Sequence, residues 1–81
     1  MNRESVINSV REFLQRYVGD KDIEQDEEIF STGLVNSLFA MQLVLFLEKH
    51  FNLEISSEDL VLQNFKSLNT IADFVLVKQN N

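Results

Sequence analysis

Ser37 is the residue whose type and setting speak most directly of chemistry. It stands in Gly33-Leu34-Val35-Asn36-Ser37-Leu38 and opens an apolar run that ends at Phe51. Gly33 permits a sharp backbone turn, Asn36 is a favoured helix cap, and the residues from Leu38 onward are helix formers or apolar. A hydroxyl placed there sits at a helix N-terminus, where unpaired N–H groups and the helix dipole favour an anion such as a phosphate ester. Serine and asparagine also begin helices simply as caps, so the position by itself leaves two readings open.

The other reactive side chains narrow the chemistry. A nucleophilic serine needs a base within hydrogen-bonding reach, and the single histidine, His50, lies thirteen positions beyond Ser37. Along a continuous helix that separation is roughly 20 Å, too far for proton transfer. The chain has no Cys, which removes disulfides, thiolate metal sites and thiol catalysis, so any thioester would need a sulfur brought by a cofactor. Asp20, Asp22, Glu24, Asp26, Glu27 and Glu28 invite comparison with a calcium loop. Counted from Asp20, the glycine and glutamate that such a loop requires are Gln25 and Ser31, so a solvated charge run is expected instead. No catalytic residue and no metal ligand is assigned.

The elements that must position Ser37 follow from composition and periodicity. Eighty-one residues, 44% hydrophobic, with two Gly and no Pro, predict one small all-α domain over residues 1–81. Val6, Ile7, Val10, Phe13, Leu14 and Tyr17 form one apolar stripe, predicting a first helix from about Arg3 to Val18 between an Asn2 cap and a Gly19 stop. The segment from Gly19 to Asn36 is long for a loop, with Ile23, Ile29, Phe30 and Leu34 as its anchors. Phe30 is expected to plug one end of the bundle and so fix where Gly33 and Ser37 stand. Ser56-Ser57-Glu58-Asp59-Leu60 should begin a short third helix, and Gln63-Asn64-Phe65-Lys66 a turn or brief extra helix with Phe65 buried. Ser67 should cap a last helix with Leu68, Ile71, Ala72 and Val75 inward, and Phe74 or Leu76 at the margin. The expected fold is a four-helix bundle of three longer helices and one short third helix, with a long loop between the first two.

In the second helix, Leu43, Leu47 and Phe51, flanked by Val44 and Ala40, are expected to face the core. The opposite arc is assigned Leu38, Phe39, Gln42, Leu45, Lys49 and, later, Glu48. So large an apolar share on the solvent side marks either a partner surface or contact with the long loop. A formal net charge of −6 disfavours nucleic acid and anionic membranes and favours basic partner surfaces. Met1-Asn2-Arg3-Glu4-Ser5 has no apolar signal region, and no transmembrane run follows. A free-standing, monomeric, cytoplasmic protein is expected.

Together, Gly33-Leu34-Val35-Asn36-Ser37-Leu38, the helix ending in Glu48-Lys49-His50-Phe51, the following Leu53-Glu54-Ile55-Ser56 and the later Asn64-Phe65-Lys66-Ser67-Leu68 resemble acyl and peptidyl carrier proteins. The resemblance runs from about Val6 to Val77. It implies that a phosphopantetheinyl transferase esterifies Ser37 with 4′-phosphopantetheine from coenzyme A. It further implies that the arm's thiol holds an acyl or aminoacyl group as a thioester, used by acyl-loading, tailoring and acyltransferase or synthase enzymes. Partner contacts are then expected at Asn36, Leu38, Phe39, Gln42 and Leu45, and no reaction is expected of the domain itself.

The chain departs from the usual Asp-Ser-Leu motif by having Asn36 before the serine, and Glu48 is the only acidic residue of its second helix. Carriers of fatty acid synthesis tend to be strongly acidic there. Val35-Asn36-Ser37-Leu38-Phe39-Ala40 is more similar to discrete carriers of polyketide and nonribosomal-peptide pathways, especially those that hold unusual malonyl-type extender units. The alternatives are a fatty-acid-synthesis or D-alanyl-type carrier, and a non-carrier helical interaction domain in which Ser37 is only a cap.

Overall fold

A computed structural model describes residues 2–19 and 22–79, and all the regular structure there is helical. Helix α1 spans Arg3–Val18, α2 spans Ser37–Phe51, α3 spans Leu62–Phe65 and α4 spans Leu68–Gln79, with a single 3-10 turn at Ser57–Asp59 before α3. Asn2 caps α1 by accepting the Ser5 N–H at 2.8 Å, and Gly19 ends it at φ 92°. Asn52 ends α2 in the left-handed region, its N–H returned to the Glu48 carbonyl. Of the acidic run, Asp20 lies outside the described residues, as do Lys21, Met1, Asn80 and Asn81.

The core is built from the inward stripes of the three longer helices: Val6, Ile7, Val10 and Leu14 of α1, Leu43, Leu47 and Phe51 of α2, and Leu68, Ile71, Ala72 and Val75 of α4. Phe74 is buried and Leu76 half-buried at its margin. Helices α1 and α4 approach closely along their backbones. Between α1 and α2 lie large rings instead, with Phe13 stacked on Phe46 at 4.3 Å and tilted against Phe39 at 5.5 Å. Tyr17, at the end of the α1 stripe, is exposed and leans its ring on Phe39.

The long segment before α2 is a packed loop. Ile23 and Ile29 are fully buried, while Phe30 and Leu34 pack against the core from its edge. Its backbone is tied to α4 and its approach: the Ile29 N–H donates to the Lys66 carbonyl at 2.9 Å, and the Asn69 N–H to the Gln25 carbonyl at 3.0 Å. Arg11 Nε adds a bond to the Ile23 carbonyl at 3.2 Å. With its ends and middle anchored, the loop delivers Val35 into the core at a fixed place.

The third helix differs from the expected one. Ser56 and Asp59 bond to each other through the Ser56 N–H and hydroxyl, both 3.0 Å from Asp59 Oδ2. That closed arrangement completes a 3-10 turn and goes no further, because Leu60 leaves helical geometry and Val61 is extended. The α-helical turn of this region is the later Leu62–Phe65, with Phe65 buried. Ser67 then caps α4, its Oγ accepting the Thr70 N–H at 3.2 Å while Thr70 Oγ1 accepts the Ser67 N–H at 3.0 Å.

Candidate functional site

Ser37 is the first residue of α2 and is exposed. Its position is set from both sides. Two residues before it, Val35 is buried and donates its N–H to the Ile29 carbonyl at 3.3 Å; two residues after it, Phe39 is buried. Gly33 turns the chain into this corner at φ 78°, a conformation that costs glycine little. Asn36 is exposed and extended, and its Oδ1 accepts the Phe39 N–H at 3.1 Å.

The hydroxyl itself is unencumbered. Among the described residues no hydrogen bond engages Ser37 Oγ, and the N–H groups of Ser37 and Leu38, in the first turn, have no backbone acceptor. The first turn of α2 holds no acidic side chain, so nothing repels a phosphate there. These features suit a phosphate ester on Oγ. His50 is at the far end of the helix, stacked on Phe46 at 4.9 Å, and no described side chain is placed to take the Ser37 proton. Among the described residues no group of three or more His, Cys, Asp or Glu could hold a metal ion.

Beside Ser37 an apolar groove of about 300 Å³ runs between α2 and the segment leading into α3. Ala40, Met41 and Val44 line it from α2, Leu60, Val61 and Leu62 from the other segment, and Phe30 and Phe65 line it as well. Phe30 thus borders the site rather than only sealing the bundle. A larger hollow of about 540 Å³ lies at the other end of α2, lined by Phe51, Asn52, Leu53, Glu54, Lys78 and Gln79, away from any unengaged hydroxyl at a helix start.

Of the residues assigned to a partner face, Leu38 is 67% and Leu45 63% exposed, and Asn36 and Gln42 are exposed as well. Phe39 is a correction, for it is 0% exposed, under Phe13 and Tyr17. The reason is helical spacing: Phe39 lies four residues before Leu43 and eight before Leu47, on the core stripe itself. Glu48 also turns inward at its tip, accepting the Ile55 N–H at 2.9 Å. Met41, 54% exposed, and the Leu60-Val61-Leu62 wall were not foreseen. Three consecutive apolar residues after a polar turn were the available signal for the latter.

A family model described as the phosphopantetheine attachment site matches residues 4–75, nearly the whole of the described chain. No curated protein matches the chain. Among the described residues no helix is long and apolar enough to cross a membrane.

Proposed function

Because this chain belongs to the phosphopantetheine attachment-site family, we propose that Ser37 Oγ is the atom to which the arm is joined. Domains of this family are carriers rather than catalysts, and they work with phosphopantetheinyl transferases and with synthase or acyltransferase enzymes. The observation that carries the assignment to Ser37 is an exposed hydroxyl without a hydrogen bond, held between two buried residues at the start of a fifteen-residue helix.

In the attachment step Ser37 Oγ bonds to the pantetheine-bearing phosphorus of coenzyme A. The pyrophosphate P–O bond breaks, adenosine 3′,5′-bisphosphate leaves, and the hydroxyl proton passes to a base of the transferase. This chain supplies the rigid corner and a first helical turn whose Ser37 and Leu38 N–H groups have no backbone acceptor, a setting that favours a phosphate. When bound, the group supplies the thiol that a chain without Cys lacks, and with it thioester chemistry. A cargo on so mobile a tether reaches successive enzymes at high effective concentration without tight docking.

The proposal extends to one carrier domain over residues 1–81, with Asn36, Leu38, Gln42 and Leu45 at the partner face. It also extends to a cargo of the unusual malonyl type used in polyketide or nonribosomal-peptide assembly. Two features support that cargo: the run Val35-Asn36-Ser37-Leu38-Phe39-Ala40, and a second helix whose first turn carries no acid. The residues lining the groove include no cation, so a carboxylated load gains no partner there and is left facing solvent and its enzymes.

Intact-mass measurement after incubation with coenzyme A and a broad-specificity phosphopantetheinyl transferase tests the site. The wild type is expected to gain one phosphopantetheinyl group and Ser37→Ala none. No gain on the wild type, or an equal gain on the variant, defeats the assignment. The mass of the protein purified from its own host would identify the load.

A further inference from the structure

The outer wall of the groove, Leu60-Val61-Leu62, is fastened away from α2. Among the described residues none of these three hydrogen-bonds to α2. Their turn is held by short bonds of its own: the Leu60 N–H to the Ser57 carbonyl, the Val61 N–H to the Asp59 carbonyl at 2.9 Å, and the Asn64 N–H to the Val61 carbonyl at 3.0 Å. Asn64 Nδ2 also donates to the Asp59 carbonyl at 2.8 Å. Helix α3 has four residues, too few to hold its place by its own helical bonds.

Among the described residues, the polar tie from the turn that carries this wall, residues 56–64, to the rest of the bundle is an ion pair between Asp59 and Lys78. Asp59 Oδ2 lies 2.5 Å from Lys78 Nζ of α4, and the two side chains are only 21% and 24% exposed. The Lys78 ammonium is also over the Phe74 ring, 6.0 Å from its centroid, and Phe74 meets Phe65 edge-on at 5.2 Å. The Asp59 carboxyl is held below its ordinary range, first by the Lys78 hydrogen bond and then by the Ser56 N–H.

We propose that Lys78, acting through Asp59, is a positioning residue of the groove: it clasps the Leu60-Val61-Leu62 wall to α4 and thereby sets the gap between that wall and Met41 and Val44 beside Ser37. With the pair intact, the wall moves with α4. With it broken, the wall keeps the apolar packing of α3 on α4 and the bonds at the two ends of its segment, Ile55 to Glu48 and Ile29 to Lys66. It loses the tie at its middle, and the groove widens along α2 while the three longer helices stay packed. Its consequence for loading rests on the attachment reading, but the geometry does not.

The test uses the full chain without its arm, so a failure here is distinct from a failure at Ser37. Amide hydrogen exchange is followed by NMR at Leu60, Val61 and Asn64, with Leu43, Leu47 and Val75 as core reporters. Lys78→Met, which keeps most of the aliphatic reach over Phe74, is expected to speed exchange at the wall amides by about three- to fivefold, as for a partly exposed pair. The core amides should stay unchanged, and Lys78→Arg should restore the wall. Asp59→Asn, which also weakens the two Ser56 bonds, should speed the wall amides at least as much as Lys78→Met, and the double variant should not exceed Asp59→Asn. Unchanged wall amides, acceleration shared equally with the core, or additive single effects each overturn the clasp.

Discussion

Asn36 Oδ1 accepts the Phe39 N–H at 3.1 Å, so the residue before Ser37 and the buried ring two positions after it are joined across the hydroxyl. The cap therefore orients the candidate attachment point as well as starting the helix. Asn36→Ala removes the acceptor and should cost about 1 kcal/mol. For a domain of this size that is a fall of roughly 4–8 °C in melting temperature. Asn36→Asp keeps the oxygen and adds a charge suited to a helix N-terminus, so it should melt at or above the wild type. Thermal melts by circular dichroism decide the order, and an Ala variant as stable as the wild type would show that this bond does not hold the corner.

Phe39 fills the space between α1 and α2, touching Phe13 at 5.5 Å and Tyr17 at 4.5 Å between ring centroids. Phe39→Ala should lose about 3–5 kcal/mol, the usual cost of emptying a buried aromatic site. Phe39→Asp, which strands a charge there, should abolish most of the helical circular dichroism at neutral pH. If the Asp variant kept a wild-type spectrum and urea midpoint, the ring would have to be outside the core.

The sequence was most legible where two independent signals agreed. Asn2 and Gly19 bracket one apolar stripe, and α1 occupies that interval. Gly33 and Asn36 bracket a turn, and α2 begins at the next residue, Ser37. Legibility failed where a single signal admitted two structures. Helix α2 is apolar on more than one face, so hydrophobicity alone does not sort Phe39 from Leu38, although spacing to Leu43 does. Ser56 with Asp59 satisfies a 3-10 turn as well as a longer helix. The groove could not be read locally at all, since Met41 and Leu62 come to line it together through tertiary packing, with α3 on α4.

Leu38 and Leu45 are exposed apolar residues of α2 that neither the core nor the groove claims, unlike Met41 in the groove wall. Leu45→Asp changes a side chain 63% exposed and should alter stability by less than about 0.5 kcal/mol. If α2 docks on partner enzymes, the same change should slow acyl loading or transfer, because a charge must then be desolvated at an apolar contact. The wild-type rate should also respond weakly to salt, as screening acts little on apolar contact. Loading kinetics of wild type and Leu45→Asp at low and high salt are the measurement. Equal rates for the two proteins would remove this face from recognition.

The lowered Asp59 carboxyl gives the clasp a defined pH signature. Its ordinary value is 3.8, and in the folded chain the Lys78 hydrogen bond, followed by the Ser56 N–H, brings it lower. Between the two values the unfolded chain binds more protons than the folded one, so stability falls as acid is added. The contribution of the pair is therefore complete above 3.8 and declines as the pH drops from there through the lowered folded value. Asp59→Asn cannot titrate. Its urea midpoint should lie below that of the wild type by a constant amount from about pH 5 to 7, and the two curves should converge below about pH 4. Lys78→Met should lose stability in acid less than the wild type does, because the main cause that lowers the carboxyl is gone while the Ser56 N–H remains. Wild-type and Asp59→Asn curves that stay parallel down to the acid limit would mean that the carboxyl titrates alike in the folded and unfolded chains, and the Lys78 contact would then contribute nothing to holding the wall.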